Sequence, residues 1–209
     1  MNENAQDNAV ALRKRLKQRR QALPAADRSR GALLIRGRLF TWLASQRTRL
    51  REAGRPDIRQ IAAFWSMPDE PALQPLLRQW ADDDTLSLAL PVVSAPASPL
   101  RFKLWTPDSP MRTGAYGIQE PTGPDAPTPD VVLVPTLGYT RQGDRLGYGG
   151  GYYDRTLAAL RAGGHAFTAI GIAWASGDLS AEAYAPAPHD VRLDGILTDK
   201  GWPVPAPDL

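Results

Sequence analysis

The chain of 209 residues is 43% apolar, enough to bury a core, and it has no cysteine, which excludes disulfides, thiolate metal sites and a cysteine nucleophile. Its two histidines, His165 and His189, are too few for a histidine-rich zinc site, and no apolar run approaches the roughly 20 residues that span a bilayer. The net charge of +3 hides an asymmetry: residues 1–60 hold 15 Lys/Arg against 5 Asp/Glu, and the rest hold 10 against 17. A basic N-terminal portion of this kind suits nucleic acid or a small polyanion such as a nucleotide. The opening residues MNENAQDNAV lack the basic-then-apolar pattern of a secretory signal, so a cytoplasmic location is expected.

In chain order, Val10–Leu23 (VALRKRLKQRRQAL) reads as a helix with Leu12, Leu16 and Leu23 near helical spacing and cationic side chains elsewhere. Pro24 ends it, and Ala25–Leu50 reads as a second helix. Ile58–Trp65 reads as a strand feeding the turn SMPDE, after which Pro71 is placed as the first residue of a helix, PALQPLLRQW. Thr85–Leu90 is a second strand, expected to stop at Pro91, and Arg101–Trp105 a third. Thr106–Pro110 and Glu120–Asp130 are proline-rich loops. Val131–Val134, uniformly apolar, suits a central buried strand. A loop, Pro135–Gly151, leads to a helix at Tyr152–Ala162, and Thr168–Trp174 and Asp194–Thr198 are two further strands. Strands alternating with helices indicate an α/β fold with a mainly parallel sheet, in one domain spanning residues 1–209.

Ligands of open α/β sheets gather beyond the C-terminal ends of strands. The run RLGYGGGYYDR, Arg145–Arg155, lies at such a place, between VVLV and the helix that follows. Glycines allow main-chain N–H groups to approach phosphate oxygens, and a helix N-terminus adds positive charge. Arg145 offers a forked cation, and Asp154 either caps the helix or holds Mg²⁺ beside phosphate oxygens. The run is neither a P-loop nor a dinucleotide fingerprint, since both the closing Gly-Lys-Ser/Thr and the G-x-G-x-x-G spacing are missing.

RLGYGGGYYDRTL resembles the signature of the 5-formyltetrahydrofolate cyclo-ligase family, also called 5,10-methenyltetrahydrofolate synthetases. LRKRLKQRRQAL, FWSMPDE, GAYGIQEP, VVLVPTLGYTRQGDRLGYGGGYYDR and HDVRLDGILTD follow in the family's order and cover most of the chain. The resemblance implies a three-layer α/β/α sandwich that uses ATP and Mg²⁺ to convert 5-formyltetrahydrofolate to 5,10-methenyltetrahydrofolate. It implies that Arg145 and Gly147–Gly151 cradle ATP phosphates, with Arg13 as a further ATP ligand. It places Tyr148, Gly149, Gly150, Gly151 and Tyr152 beside formyl group and pterin, with the Tyr152 hydroxyl orienting the formyl oxygen; the alternative is that both tyrosines pack the loop. Glu70 matches the pterin-binding glutamate, with Trp65 as an apolar wall, and Asp154 and Asp190 match metal-side carboxylates. Reduced formyl-folate and ATP are the implied partners of a monomer.

The chain departs from the family pattern in three places. Ala9 stands at the lysine of the K-x-x-L-R segment, with Arg15 or Lys14 as the candidate substitute. Thr140 stands where an aspartate is usual. A Gly-Lys pair is missing before the strand ending near Pro91. A folate- or nucleotide-binding member with lost or altered activity is therefore a second reading. A nucleic-acid-binding protein using the basic first helix is a third, but no recognised nucleic-acid-binding motif accompanies that helix.

Overall fold

The computed structural model describes residues 3–209; Met1 and Asn2, which the sequence reading included in the domain, lie outside them. Four α-helices are present among those residues: α1 (Glu3–Gln21), α2 (Ala25–Glu52), α3 (Gln74–Ala81) and α4 (Tyr152–Ala162). The main-sheet strands are β1 (Gln60–Ala62), β2 (Ser87–Val92), β3 (Arg101–Trp105), β6 (Val131–Pro135), β9 (Thr168–Ile172), β10 (Gly195–Thr198) and β11 (Gly201–Val204). Two small hairpins complete the set, β4 (Met111–Thr113) with β5 (Gln119–Pro121), and β7 (Gly138–Tyr139) with β8 (Arg145–Leu146).

The seven-stranded sheet runs β11-β10-β9-β6-β1-β2-β3. Its inner pairs are parallel, and only the edge pairs β2–β3 and β10–β11 are antiparallel. Strand side chains alternate between faces, and the two faces differ. Ile61, Leu88, Leu90, Leu133 and Ile170 point to one core, where Ile35, Leu39 and Leu43 of α2 and Leu76, Leu77 and Trp80 of α3 cover them. The other face presents Ala62, Ala89, Val132, Ala169 and Ala173, against which α4 lays Leu157. Through Leu157, α4 covers these smaller residues, with the glycine-rich run leading into it. The resulting α/β/α layering is the expected fold.

Helix α1 belongs to neither layer. Leu12 and Leu16 pack with Leu137, Leu146 and Leu179, so α1 lies over the β7–β8 hairpin. The approach is tight: a Cβ on Gly138 would lie 2.6 Å from a Leu16 methyl.

Several boundaries differ from the sequence expectation for identifiable reasons. Helix α3 starts at Gln74, with Pro75 in its first turn, and not at Pro71. Both prolines suit a helix start, but Pro71 is held outside because its carbonyl accepts a 2.8 Å bond from Ser66 Oγ. Strand β2 continues through Pro91, paired with Phe102, to Val92. Ala89 turns its carbonyl toward the β1 side, where it accepts Ala63 N–H at 2.8 Å. Pro91, two residues on, turns its nitrogen the same way, past the end of β1, where no ladder bond is lost. Strand β1 ends at Ala62, which leaves Trp65 in the connection. The β7–β8 hairpin lies in the stretch read as a loop, and the β4–β5 hairpin and β11 lie mostly where the sequence reading assigned no element.

Arg47 of α2 fastens the helix to the sheet's rim. It donates to both oxygens of Asp57, at 3.0 and 2.9 Å, and to Asp83 at 2.7 Å. The Arg47 bond holds the Asp57 carboxyl below the usual range, and Thr85, then Arg47, brings Asp83 down to about 2. Both folded-state values lie below the unfolded ones, so this stability is present above about pH 4 and lost as pH falls toward 2. Arg47→Met is expected to cost about 2 kcal/mol at pH 7, with the deficit shrinking below pH 4, as thermal melts across pH would show.

Candidate functional site

A cleft of about 570 Å³ opens beyond the C-terminal ends of β1, β2 and β6. From β1 the chain moves through α3 to β2 on one side, and later returns to β6 on the other. The cleft therefore occupies the topological switch point, where open α/β sheets bind ligands.

One wall is the inner face of α1. Arg13, Lys17 and Arg20 line it together because they recur at helical spacing, four and three residues apart. Leu12 and Leu16 occupy the adjacent buried stripe. Arg20 is 5% exposed and reaches furthest in. Its Nε and Nη2 hold Asp69 at 2.9 and 2.8 Å, its Nη1 donates to the Tyr148 hydroxyl, and Glu70 lies 3.8 Å away. Burial opposes the Arg20 charge, but Tyr148, Asp69 and Glu70 more than offset it and raise the pKa.

Glu70, 6% exposed, sits opposite. Its Oε2 accepts Met67 N–H at 2.9 Å, and its Oε1 accepts the Tyr148 hydroxyl. Burial drives the Glu70 pKa upward, while Tyr148, Met67 and Arg20 pull against it without reversing the sign. Burial, then the Glu70 charge, likewise pushes the Tyr148 hydroxyl up. Trp65 lines the same end, packed edge-on against Trp105 with ring centroids 6.2 Å apart.

The glycine-rich run forms the third wall. Gly149, at φ +101°, and Gly151, at φ +64°, adopt backbone conformations that side-chain-bearing residues avoid. Arg13 Nε donates to Gly147 O at 2.9 Å, and Arg155 Nη2 to Gly150 O at 2.6 Å, so flanking arginines orient the loop. Arg145 lies beneath it, with its side chain 5% exposed and its Nη2 on Asp154 Oδ2 at 2.8 Å. The Arg145 Nε is buried without a partner.

Asp154 Oδ1 accepts Val191 N–H at 3.3 Å, which brings the start of α4 to the segment carrying Asp190. Asp190 Oδ2 accepts Ala187 N–H at 2.7 Å. The two carboxylates thus border the same end of the cleft, alongside His189. No group of three or more His, Cys, Asp or Glu side chains is placed to hold a metal ion among the described residues.

The adjacent tyrosines that begin α4 point differently. Tyr152 faces the cleft mouth, where its hydroxyl lies 3.2 Å from that of Tyr116 on the β4–β5 hairpin. Tyr153 turns inward, with its hydroxyl buried and unpartnered and its ring 5.9 Å from the Arg145 guanidinium carbon. Sequence reasoning passed over Arg20, Asp69, Lys17 and Tyr153, and it expected Tyr116–Pro121 to shape the pocket without assigning a role to each residue. The recurrence of Arg13, Lys17 and Arg20 was the available signal for the α1 wall. The others have no signature, because distant segments bring them to the cleft.

The departures also find places. Ala9 packs against the leucines beneath α1, while Lys17 supplies a cation to the cleft. Thr140 Oγ1 bonds Asp144 Oδ2 at 2.9 Å and accepts Asp144 N–H at 3.2 Å, which shapes the β7–β8 turn.

A sequence model of the 5-formyltetrahydrofolate cyclo-ligase family matches residues 5–199. A 5-formyltetrahydrofolate cyclo-ligase of Mycolicibacterium smegmatis is 33% identical over 202 residues, covering 90% of this chain and 92% of its own. One from Escherichia coli K12 is 30% identical over 154 residues, covering 70% and 74%. In fold, the chain is similar to the 5,10-methenyltetrahydrofolate synthetase of Aquifex aeolicus, with a TM-score of 0.70 at 23% identity over 93% of this chain and 91% of that one. From the α1 wall to Asp190, the residues of the cleft fall within the matched span, and the chain belongs to the 5-formyltetrahydrofolate cyclo-ligase family.

Proposed function

We propose that this protein converts 5-formyltetrahydrofolate to 5,10-methenyltetrahydrofolate, with ATP becoming ADP and phosphate. A single observation carries the reading. One cleft places a buried carboxylate, Glu70, opposite a left-handed glycine loop, with three cations along the side. A carboxylate accepts the paired N–H donors of a pterin edge, and a glycine loop beside cations admits a triphosphate.

The formamide oxygen is a poor leaving group. Transfer of the γ-phosphoryl group to that oxygen makes it a good one; N10 then attacks the formyl carbon, the ring closes and phosphate departs. This chemistry rests on positioning and on stabilisation of charge. Glu70 fixes the pterin, and the Gly147–Gly151 amides with Arg13 and Lys17 receive the phosphates. Arg145, paired with Asp154, supports the loop from beneath.

Asp154 and Asp190 provide hard oxygen donors at one end of the cleft. Two carboxylates fit Mg²⁺ when phosphate oxygens and water complete the shell, and the ion would there neutralise phosphate charge. The Arg145–Asp154 pair sets this end of the site before any ligand arrives.

The deciding experiment mixes purified protein with 5-formyltetrahydrofolate and Mg²⁺-ATP and follows the absorbance of the methenyl product. Product that depends on ATP is expected, and its absence would favour a binding protein of altered activity. Glu70→Gln is expected to raise the folate KM about tenfold, the equivalent of one charged hydrogen bond, with the ATP KM within about threefold. The same variant should shift the pH profile of stability. The folded-state pKa of Glu70 lies above its unfolded value, so its stabilisation is complete below about pH 4 and is lost as pH rises through the raised value. Glutamine loses nothing over that range, so the melting temperature of the variant should rise relative to wild type between pH 4 and 7. Asp154→Ala leaves the buried Arg145 with neither counter-charge nor acceptor and should cost about 3–5 kcal/mol in denaturant melts, whereas Asp154→Asn keeps the acceptor, should cost less and should lose Mg²⁺-ATP turnover.

A further inference from the structure

Six of the eight residues from Arg13 to Arg20 are cationic, so α1 presents positive charge on several sides. Its apolar seam is narrow: Leu12 and Leu16, with Ala9, seat it on Leu137, Leu146 and Leu179. Such a seam fixes where the helix lies better than how it is turned about its axis. Successive residues diverge by about 100°, so cations two positions apart point about 200° apart. Arg15 and Arg19 therefore face away from the side that carries Arg13, Lys17 and Arg20 into the cleft. On that outer flank both meet one carboxylate. Arg19 Nη2 donates to Glu182 Oε1 at 2.9 Å, and Arg15 Nη2 donates to Glu182 Oε2. The Glu182 side chain is 16% exposed, although both arginines are nearly half exposed. On the same flank, Asn8 Nδ2 donates to Ala183 O. Arg15, a candidate substitute for the lysine at Ala9, is thus engaged outside the cleft.

The segment carrying Glu182 is itself anchored. Leu179 N–H donates to Tyr139 O at 2.9 Å, Glu182 N–H to Leu179 O at 2.9 Å, and the Tyr184 hydroxyl to Arg145 O at 3.0 Å. One short stretch therefore holds both the outer flank of α1 and the strand that enters the glycine loop. We propose that Glu182 is a positioning residue for ATP: by engaging Arg15 and Arg19 together, it sets the rotation of α1 at which Arg13 and Lys17 face the triphosphate. Glu182 does not line the cleft, so it acts through the helix and not on the ligand. Arg20 on Asp69 secures the inner flank, and Glu182 is its counterpart outside. A helix that is basic on several sides does not choose by itself which cations face outward; a single carboxylate with two arginine donors makes that choice. That the ligand is ATP rests on the proposed function.

Binding is read without turnover, by calorimetric titration with Mg²⁺-ATP in the absence of folate. Removing a negative charge near a triphosphate would by itself tighten binding, whereas a helix that loses its orientation binds more weakly, so the sign of the change separates the two effects. Glu182→Gln should weaken Mg²⁺-ATP binding about fivefold, within the range by which residues without ligand contact alter affinity. The folate Kd, from quenching of tryptophan fluorescence, and kcat at saturating ATP should both stay within about twofold of wild type. The melting temperature should fall by less than about 3 °C, because both arginines reach solvent. In an Arg15→Gln/Arg19→Gln background, Glu182→Gln should change ATP affinity by no more than about twofold, since the carboxylate then has no arginine to hold. Equal or tighter ATP binding by Glu182→Gln overturns the proposal. So does a matching loss of folate affinity, or an undiminished effect of Glu182→Gln in the double-variant background. Wild type that binds Mg²⁺-ATP but yields no methenyl product refutes the ligase reading, while a weakened Glu182→Gln titration still upholds the positioning role; wild type that binds no Mg²⁺-ATP refutes both.

Discussion

Four side chains from three distant segments meet inside the cleft: Arg20 of α1, Asp69 and Glu70 of the turn after β1, and Tyr148 of the glycine loop. A buried arginine requires compensating anions, and a buried glutamate requires donors. Each satisfies the other's need, with Tyr148 between them. The contact does more than stabilise. It fixes α1 over the sheet, sets the loop's distance from the turn, and thereby defines the width of the cleft. It also keeps Glu70 ready for a ligand, since a carboxylate that burial pushes toward protonation gains from any added N–H donor.

The sheet makes this arrangement possible through its unequal faces. Large aliphatic residues on one side take two helices, and the face with the alanines takes α4 through Leu157. The glycine loop feeding α4 is thereby drawn to the mouth of the parallel strands. Beneath it, Arg145 and Asp154 neutralise each other, so the loop rests on a closed pair and not on a free cation. The positive charge that faces the open cleft comes mainly from α1. The family's N-terminal lysine position, here Ala9, belongs to an apolar cluster, and Lys17, two turns on, occupies the wall.

Much of the architecture was legible in the chain. The uniformly apolar VVLVP, the helices before and after Pro24, and the glycine run ahead of a helix each carry a local signal that packing preserved. Pro71 and Pro91 were misread because proline states what the backbone lacks, while the neighbouring strand or side chain decides whether the lack matters. The hairpins and β11 escaped for a related reason: strands of two to four residues leave too few side chains to show a period of two.

The amino-acid sequence by itself determined the fold class, the family and the chemical types gathered in the site, because periodicity, glycine placement and motif order are written along one dimension. Tertiary structure alone decided the pairings: that Arg20 would be buried against Asp69, that Arg145 would be spent on Asp154, and that of two adjacent tyrosines one would turn inward and one toward Tyr116. Consecutive helical residues diverge by about 100°, and which direction meets solvent depends on what the rest of the chain has placed there.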